Sequence, residues 1–257
     1  MHIIVCIKSV IRTAPEGVGR RSPDNSELNP FDRPALEAAL SLKAASGGSV
    51  TALSMGPAVA LEALSEAQAM GVDRAVLISD PALAGSDTLV TARVLAAGIA
   101  RLAPYACVLF GARSSDSDTG QVGPQTATVL GIPFVGGVRD IRSQDNPWRI
   151  QRVLDDWEES WEVRPPAALT VHPRAFQPRA IPLAGIARAY DRMDAQTWGL
   201  PDVGLCAEQT GLAGSPTRVA GLQKIRRKRT CRMIEGEPQE QVQALIEQLT
   251  TQGIIGS

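Results

Sequence analysis

The chain is poor in residues that do chemistry on their own. It has two histidines, His2 and His172, far apart and with no Ser or Cys motif beside either. A hydrolytic triad therefore has no support. Four cysteines, Cys6, Cys107, Cys206 and Cys231, are widely spaced, with no CxxC or Cys/His cluster. That argues against a zinc site, and Cys6 and Cys107 fall inside apolar runs where a thiol is a small buried hydrophobe. Aromatic residues make up only 4% of the chain, so its core must be aliphatic and alanine-rich. The net charge is -1, which gives no general electrostatic case for nucleic acid or an acidic membrane. No apolar run approaches the roughly 20 residues needed to span a bilayer, and the first apolar segment is a short strand ending at Lys8 rather than a leader. These absences predict a soluble, cytoplasmic protein without membrane insertion. Two nucleotide-binding motifs are also missing. Ile7-Lys8-Ser9-Val10 stands where a GxGxxG would follow the first strand, and there is no Walker P-loop. Ser46-Gly47-Gly48-Ser49 is superficially like the SGG of ATP pyrophosphatases, but it precedes the second strand and lacks the Asp-Ser that should follow.

What is present is a hydrophobic content of 44% over 257 residues, enough for a full core. Apolar runs of strand length alternate with helical spacing. Strands are predicted at His2–Ile7, Val50–Met55, Arg74–Ile78, Ala106–Phe110 and Phe134–Val138. Helices are predicted at Pro34–Ala45 with Asp32 as N-cap, Ala58–Met70, Asp87–Leu102 and Thr119–Leu130. Residues 12–27 are polar and read as a loop. The alternation predicts an α/β fold, a Rossmann-like parallel sheet with helices on both faces, whose ligands sit beyond the carboxyl ends of the strands. After residue 140 the pattern changes. Arg149–Val153 and Ser160–Val163 predict a β-hairpin around an acidic turn, Asp155-Asp156-Trp157-Glu158-Glu159, and Pro166–Val171 is again strand-like. Residues 191–236 lack periodicity and read as an extended arm, closed by a helix at Glu240–Leu249. The expected organisation is a nucleotide-binding α/β domain over 1–190 and a C-terminal arm and helix over 191–257.

Gly111 to Pro124 (GARSSDSDTGQVGP) is the most informative segment. It follows an apolar strand and precedes a helix, and it consists of small polar residues punctuated by glycine. Such a loop presents bare backbone N–H groups at a helix N-terminus, which suits a phosphate; an ordinary polar βα connection is the other reading. Asp116 and Asp118 would repel phosphate and suit ribose hydroxyls or loop-bracing hydrogen bonds better. Asn29-Pro30-Phe31-Asp32 reads either as a turn with an N-cap or as an adenine or ribose contact. Lys224–Arg232 is basic, but the neutral chain makes a solvated strand or docking segment the better reading than a nucleic-acid patch.

In order and spacing these pieces resemble the β subunit of electron transfer flavoproteins, including the FixA-type branch. The resemblance covers nearly the whole chain. It rests on the opening strand with Lys8, Asn29-Pro30-Phe31-Asp32 before the first helix, Ser54-Met55-Gly56-Pro57, Gly71-Val72-Asp73-Arg74-Ala75, and the DTGQVGP ending of the Gly111 loop. It continues through Pro178–Leu183, Gly211–Thr217 and Ile234–Glu237. The chain departs from the family at Trp157, where glycine is usual, and at Trp161, where an aliphatic residue is usual.

The resemblance implies an electron carrier rather than a self-standing enzyme, working as a heterodimer with an α subunit that holds most of the redox FAD. It implies an AMP in the β subunit, or a second FAD in the bifurcating branch. The nucleotide contacts then fall on Cys6, Asn29, Pro30, Phe31, Asp32, Met55, Ala112, Arg113, Ser114, Ser115, Asp116, Ser117, Asp118, Thr119, Gly120, Gln121, Val122 and Gly123. The partner-docking loop falls on about 172–190, with Leu183 as anchor beside Pro182 and Ile186. Electrons would come from a flavin dehydrogenase and go to a quinone reductase or ferredoxin-type acceptor. A different reading is an adenine-nucleotide sensor of the universal-stress type. A third is a structural subunit whose nucleotide site has decayed.

Overall fold

A computed structural model describes residues 1–12, 22–191, 194–221, 231 and 233–256. Contacts group Met1–Arg218 into one compact unit and Val219–Ser257 into a second.

The first unit is built on eleven strands: β1 His2–Cys6, β2 Ser9–Ile11, β3 Ser26–Leu28, β4 Ser49–Met55, β5 Arg74–Ile78, β6 Cys107–Gly111, β7 Phe134–Arg142, β8 Trp148–Leu154, β9 Trp157–Val163, β10 Ala167–Val171 and β11 Ala195–Trp198. Its helices are α1 Asp32–Ser46, α2 Leu61–Met70, α3 Thr88–Arg101, α4 Val122–Leu130, α5 Leu183–Asp191 and the single turn α6 Gly211–Gly214. Nine strands form one sheet in the order β11-β5-β4-β1-β6-β10-β7-β8-β9. Pairing is parallel from β11 to β7, then antiparallel through β8 and β9. β2 and β3 make a small antiparallel ribbon, so part of the stretch read from sequence as a loop is paired.

The alternation of side chains along a strand divides the core in two. Ile3 and Val5 of β1 face α1 and α2, among Leu36, Leu40 and Leu64. Ile4 and Cys6 face α3 and α4, among Leu53, Ile78, Val94, Ile99 and Phe110. Each fully buried Leu or Ile contributes roughly 1.5–3 kcal/mol, and aliphatic side chains of similar size let both helical layers lie close to the sheet. Trp198, at one sheet edge, is sandwiched by Arg101 at 4.9 Å and Arg74 at 5.8 Å.

The hairpin forms where expected, but its turn is tighter. Leu154 pairs with Trp157, so only Asp155 and Asp156 turn, with Asp155 at φ 50°. Trp157, Glu158 and Glu159 belong to β9, because aromatic and alternating residues extend a strand more readily than they loop. The arm read over 191–236 is also corrected. Ala195–Trp198 pairs with β5, and residues 211–217 brace the N-terminus of α3. There Asp87 accepts hydrogen bonds from Val90 N (3.0 Å) and Thr217 Oγ1 (2.7 Å), while Ser215 Oγ accepts from Asp87 N at 2.9 Å. Such short pieces add to an existing edge and carry no periodicity of their own. The basic run Lys224–Arg232 lies outside the described residues except for Cys231.

The second unit contains α7, Pro238–Thr251, with Pro at its start and a capping box between Glu237 and Glu240. No helix among the described residues is long and apolar enough to cross a membrane.

Candidate functional site

The chain runs from β1 to β4 and β5 on one side, then returns across β1 to β6 on the other. At that reversal lie the connections leaving the carboxyl ends of β1 and β6, and the crevice above them is the expected ligand position in such a sheet. Lys8 follows β1, and the Gly111 loop follows β6.

Asp32 lies at the base of this crevice. It is not the side-chain cap expected from sequence. Phe31 is the N-cap residue and makes no capping bond, and Asp32 is the first residue of α1 with its side chain turned inward. Its Oδ2 accepts from Lys8 N at 2.7 Å and its Oδ1 accepts from Asn29 Nδ2 at 2.8 Å. A Cβ on Gly111 would fall 2.2 Å from Asp32 Oδ1 and 2.6 Å from Phe31 O, so only glycine fits where β6 passes α1. Burial pushes the Asp32 carboxyl up to about 7, although hydrogen bonds from Lys8 and Asn29 pull it the other way. Burial, and then the charge of Asp32, raise the Cys6 thiol far above its ordinary value, so Cys6 is an inert wall. Burial likewise pushes Cys107 up to about 12.

Asn29, 1% exposed, ties this base to the loop. Its Nδ2 also donates to Arg113 O at 2.9 Å, and its Oδ1 accepts from Ser115 N at 3.2 Å. The side chains of Asn29 and Asp32 are thus spent on internal bracing. Pro30 is exposed and Phe31 half-buried, with the Arg113 guanidinium 4.8 Å from the Phe31 ring centre.

Both loop carboxylates face cations. Asp116 Oδ1 lies 2.6 Å from Lys8 Nζ, and Asp118 Oδ1 lies 3.2 Å from Arg113 Nη1. Lys8 Nζ also donates to Ser117 Oγ at 3.0 Å and Ser114 Oγ at 3.4 Å. Burial raises the Asp116 carboxyl, but the bond and charge of Lys8 outweigh it and hold the carboxyl below its ordinary value. Asp118 (φ 53°) and Gly120 (φ 62°) take left-handed conformations, so α4 starts at Val122, later than the Thr119 expected from sequence. That leaves Ala112, Thr119 and Gln121 in the connection and Val122 in the first turn. Gly123 is buried, and a Cβ there would reach 2.9 Å from Thr170 Cγ2. Met55, half-buried at the end of β4, lies against the α3/α4 core.

The structure therefore gathers Cys6, Asn29–Asp32 and Ala112–Gly123 at the carboxyl ends of the central strands β1 and β6. Lys8 joins them. In the sequence Lys8 marks the end of the opening strand, and a lysine after a buried strand at the switch point is the signal that points to this place. A groove of about 660 Å³ lies between α3 and α4 beside Ala97, Val129 and Leu205 and contains none of these residues.

Pro182, Leu183 and Ile186 lie elsewhere, at the start of α5. α5 lies on α2 at Gly185, where a Cβ would meet Ala69 O at 2.2 Å. Leu183 is 84% exposed and Ile186 50%. The preceding segment is clamped by Arg179, whose Nε and Nη2 donate to the two oxygens of Glu37 at 2.8 and 2.9 Å. Partial burial raises Glu37, but the Arg179 bonds prevail and lower it.

Residues 20–194 match the family model described as the electron transfer flavoprotein domain. The chain is 37% identical over 267 residues to an electron transfer flavoprotein subunit beta of Thermoanaerobacterium thermosaccharolyticum, covering 99% of this chain and all of that one. It is 40% identical over 226 residues to the caffeyl-CoA reductase-Etf complex subunit CarD of Acetobacterium woodii, covering 85% and 86%. It is 36% identical over 236 residues to the FixA protein of Bradyrhizobium diazoefficiens, covering 85% and 81%. The family model and the first of these relatives are named for electron transfer, so the sensor reading is set aside. The chain belongs to the electron transfer flavoprotein family as a β-subunit-type member, and its work is to carry electrons.

Proposed function

We propose that the crevice between β1 and β6 holds the adenosine phosphate part of a nucleotide, either AMP or a second FAD, and that the chain works in a heterodimer with an α subunit that holds the principal FAD. One observation carries this reading: at the switch point, an acidic loop has each carboxylate matched by a cation. Asp116 meets Lys8 and Asp118 meets Arg113, so the loop does not repel a phosphate. The residues fit such a group in two further ways. The approach to α4, from Thr119 to Gly123, includes two glycines, Gly120, which is left-handed, and Gly123, leaving backbone N–H groups bare. Asn29 and Asp32 fix the opposite wall without projecting polar atoms into it. A flavin, where bound, supplies the redox chemistry; AMP supplies none and serves structure alone.

The chain's own residues position and shield. Cys6 and Met55 give the crevice an apolar floor, the braced loop fixes the phosphate end, and the exposed Leu183 and Ile186 of α5 offer an anchor to a flavin dehydrogenase. Electrons then pass to a quinone reductase or ferredoxin-type acceptor. The relative whose name places it in a caffeyl-CoA reductase complex supports a link to a CoA-thioester reductase as partner. The test is the nucleotide content of the co-purified heterodimer, by acid release and chromatography. One FAD with one AMP is the outcome for a simple carrier. Two FAD and no AMP is the outcome for a redox flavin in the β site. No adenine nucleotide beyond a single FAD overturns the reading.

A further inference from the structure

The two cations of the loop are held differently. Arg113 belongs to the loop itself, lies over the Phe31 ring, and meets Asp118 in a pair whose side chains are both more than half exposed. Lys8 comes from the sheet. Its backbone N–H is fixed on the Asp32 carboxylate, so its ammonium reaches the loop from a rigid base across the crevice. The Lys8 side chain is 35% exposed and that of Asp116 only 15%, so the cation is the more open member of the pair. An ammonium has three donors. Here one makes a short bond to Asp116, one a fair bond to Ser117, and the third reaches only to 3.4 Å at Ser114. The two serine hydroxyls bond each other at 2.8 Å and can turn to donate elsewhere.

Resting on the nucleotide reading above, we infer that Lys8 is a phosphate-binding residue, whose ammonium is shared between Asp116 and the 5′-phosphate of the adenine nucleotide. Asp116 holds the ammonium in place before the ligand arrives and competes with the phosphate for it. Ser114 gives up its weak bond to Lys8, and Ser117 its fair one, when the ammonium turns to the ligand. The chemistry recognised is the phosphate monoester or diester oxygen, and the adenosine itself makes no demand on Lys8.

The test uses the heterodimer stripped of nucleotide from its β site, with AMP and adenosine as probes and titration calorimetry as the readout. Lys8→Met is expected to weaken AMP by about tenfold or more, the usual worth of a hydrogen bond to a charged group, and to leave adenosine within about twofold. Lys8→Met/Asp116→Asn, in which the pair is neutral, is expected to stay weak for AMP. Asp116→Asn alone, which keeps Lys8, is expected to tighten AMP. The inference is overturned if the double variant recovers wild-type AMP affinity, since Lys8 would then only neutralise Asp116. It is overturned if Lys8→Met weakens AMP and adenosine alike, since Lys8 would then be loop scaffold. A weaker AMP in Asp116→Asn also overturns it, and this variant keeps the question open to refutation if Lys8→Met fails to assemble. A wild-type complex that binds neither probe overturns the nucleotide reading itself, a result distinct from all of these.

Discussion

Asp32 is held by neutral donors. It accepts Lys8 N and Asn29 Nδ2, and among the described residues no cation pairs with it directly. Desolvation therefore prevails and the carboxyl moves from its ordinary 3.8 to about 7. Between these values the folded chain keeps a proton that the unfolded chain has lost. The folded state binds more protons there, so stability falls as pH rises through this window, by a total on the order of 4 kcal/mol. Glu66, also raised by burial, adds in the same sense. Asp116 and Glu37, both lowered, act oppositely and only as pH drops through the ordinary carboxylate range. Asp32→Asn is thus expected to flatten the loss of thermal stability between about pH 4 and about pH 7, measured as the difference in Tm from wild type at each pH. Parallel pH dependences in the two proteins would show that Asp32 does not titrate in this window. Asn29-Pro30-Phe31-Asp32 could be located from sequence as a turn entering a helix. The inward direction of both polar side chains could not, because it depends on β6 passing at Gly111 some eighty residues later.

At the scale of elements, α5 shows how an exposed leucine can be held without being buried. Gly185 lets the helix lie against the backbone of α2, and the Arg179–Glu37 clamp fixes the chain entering it. Leu183 then projects outward at 84% exposure. Leu183→Ala removes almost no intramolecular contact, so folding stability should change by less than ~0.5 kcal/mol. If Leu183 fills a dehydrogenase pocket, the same change costs about 2 kcal/mol, roughly thirtyfold in apparent affinity. Steady-state reduction of the heterodimer by its dehydrogenase reads this directly, with nucleotide content unchanged. An unaltered apparent affinity would remove Leu183 from the interface. Helices were readable where apolar spacing and caps coincided, as with Gly47 ending α1 and Asp87 opening α3. The start of α4 was misread because Thr119, Gly120 and Gln121 are compatible with a helix locally, and only the left-handed turn at Asp118 and Gly120 delays it.

For the whole molecule, sequence pattern revealed a parallel sheet covered on both faces, but strand order is a long-range property. β10 inserts between β6 and β7, and β11 closes the edge beside β5. Nothing in the local composition of Ala195–Trp198 announces a four-residue strand. It forms because β5 already presents an edge and Arg74 and Arg101 already flank the place Trp198 takes. The hydrogen bonds that close this unit run to Thr217 on Asp87 and Arg218 on Leu212, and every described strand lies before Arg218. Residues 219–257 contain one described helix, α7, on which Val242, Leu245 and Ile246 recur at helical spacing and are 57%, 47% and 45% exposed. An amphipathic helix with such a stripe suits a surface that covers it. A chain ending at Arg218 should unfold within a few degrees of the full chain, because no described sheet or core residue is lost. It should also bind the α subunit at least about tenfold more weakly, because burying three such side chains outweighs the cost of ordering them. Differential scanning calorimetry and titration with the α subunit measure the two quantities separately. A large drop in Tm would mean that the first unit needs the second to fold. An unchanged affinity would mean that the apolar face of α7 is not where the α subunit is held.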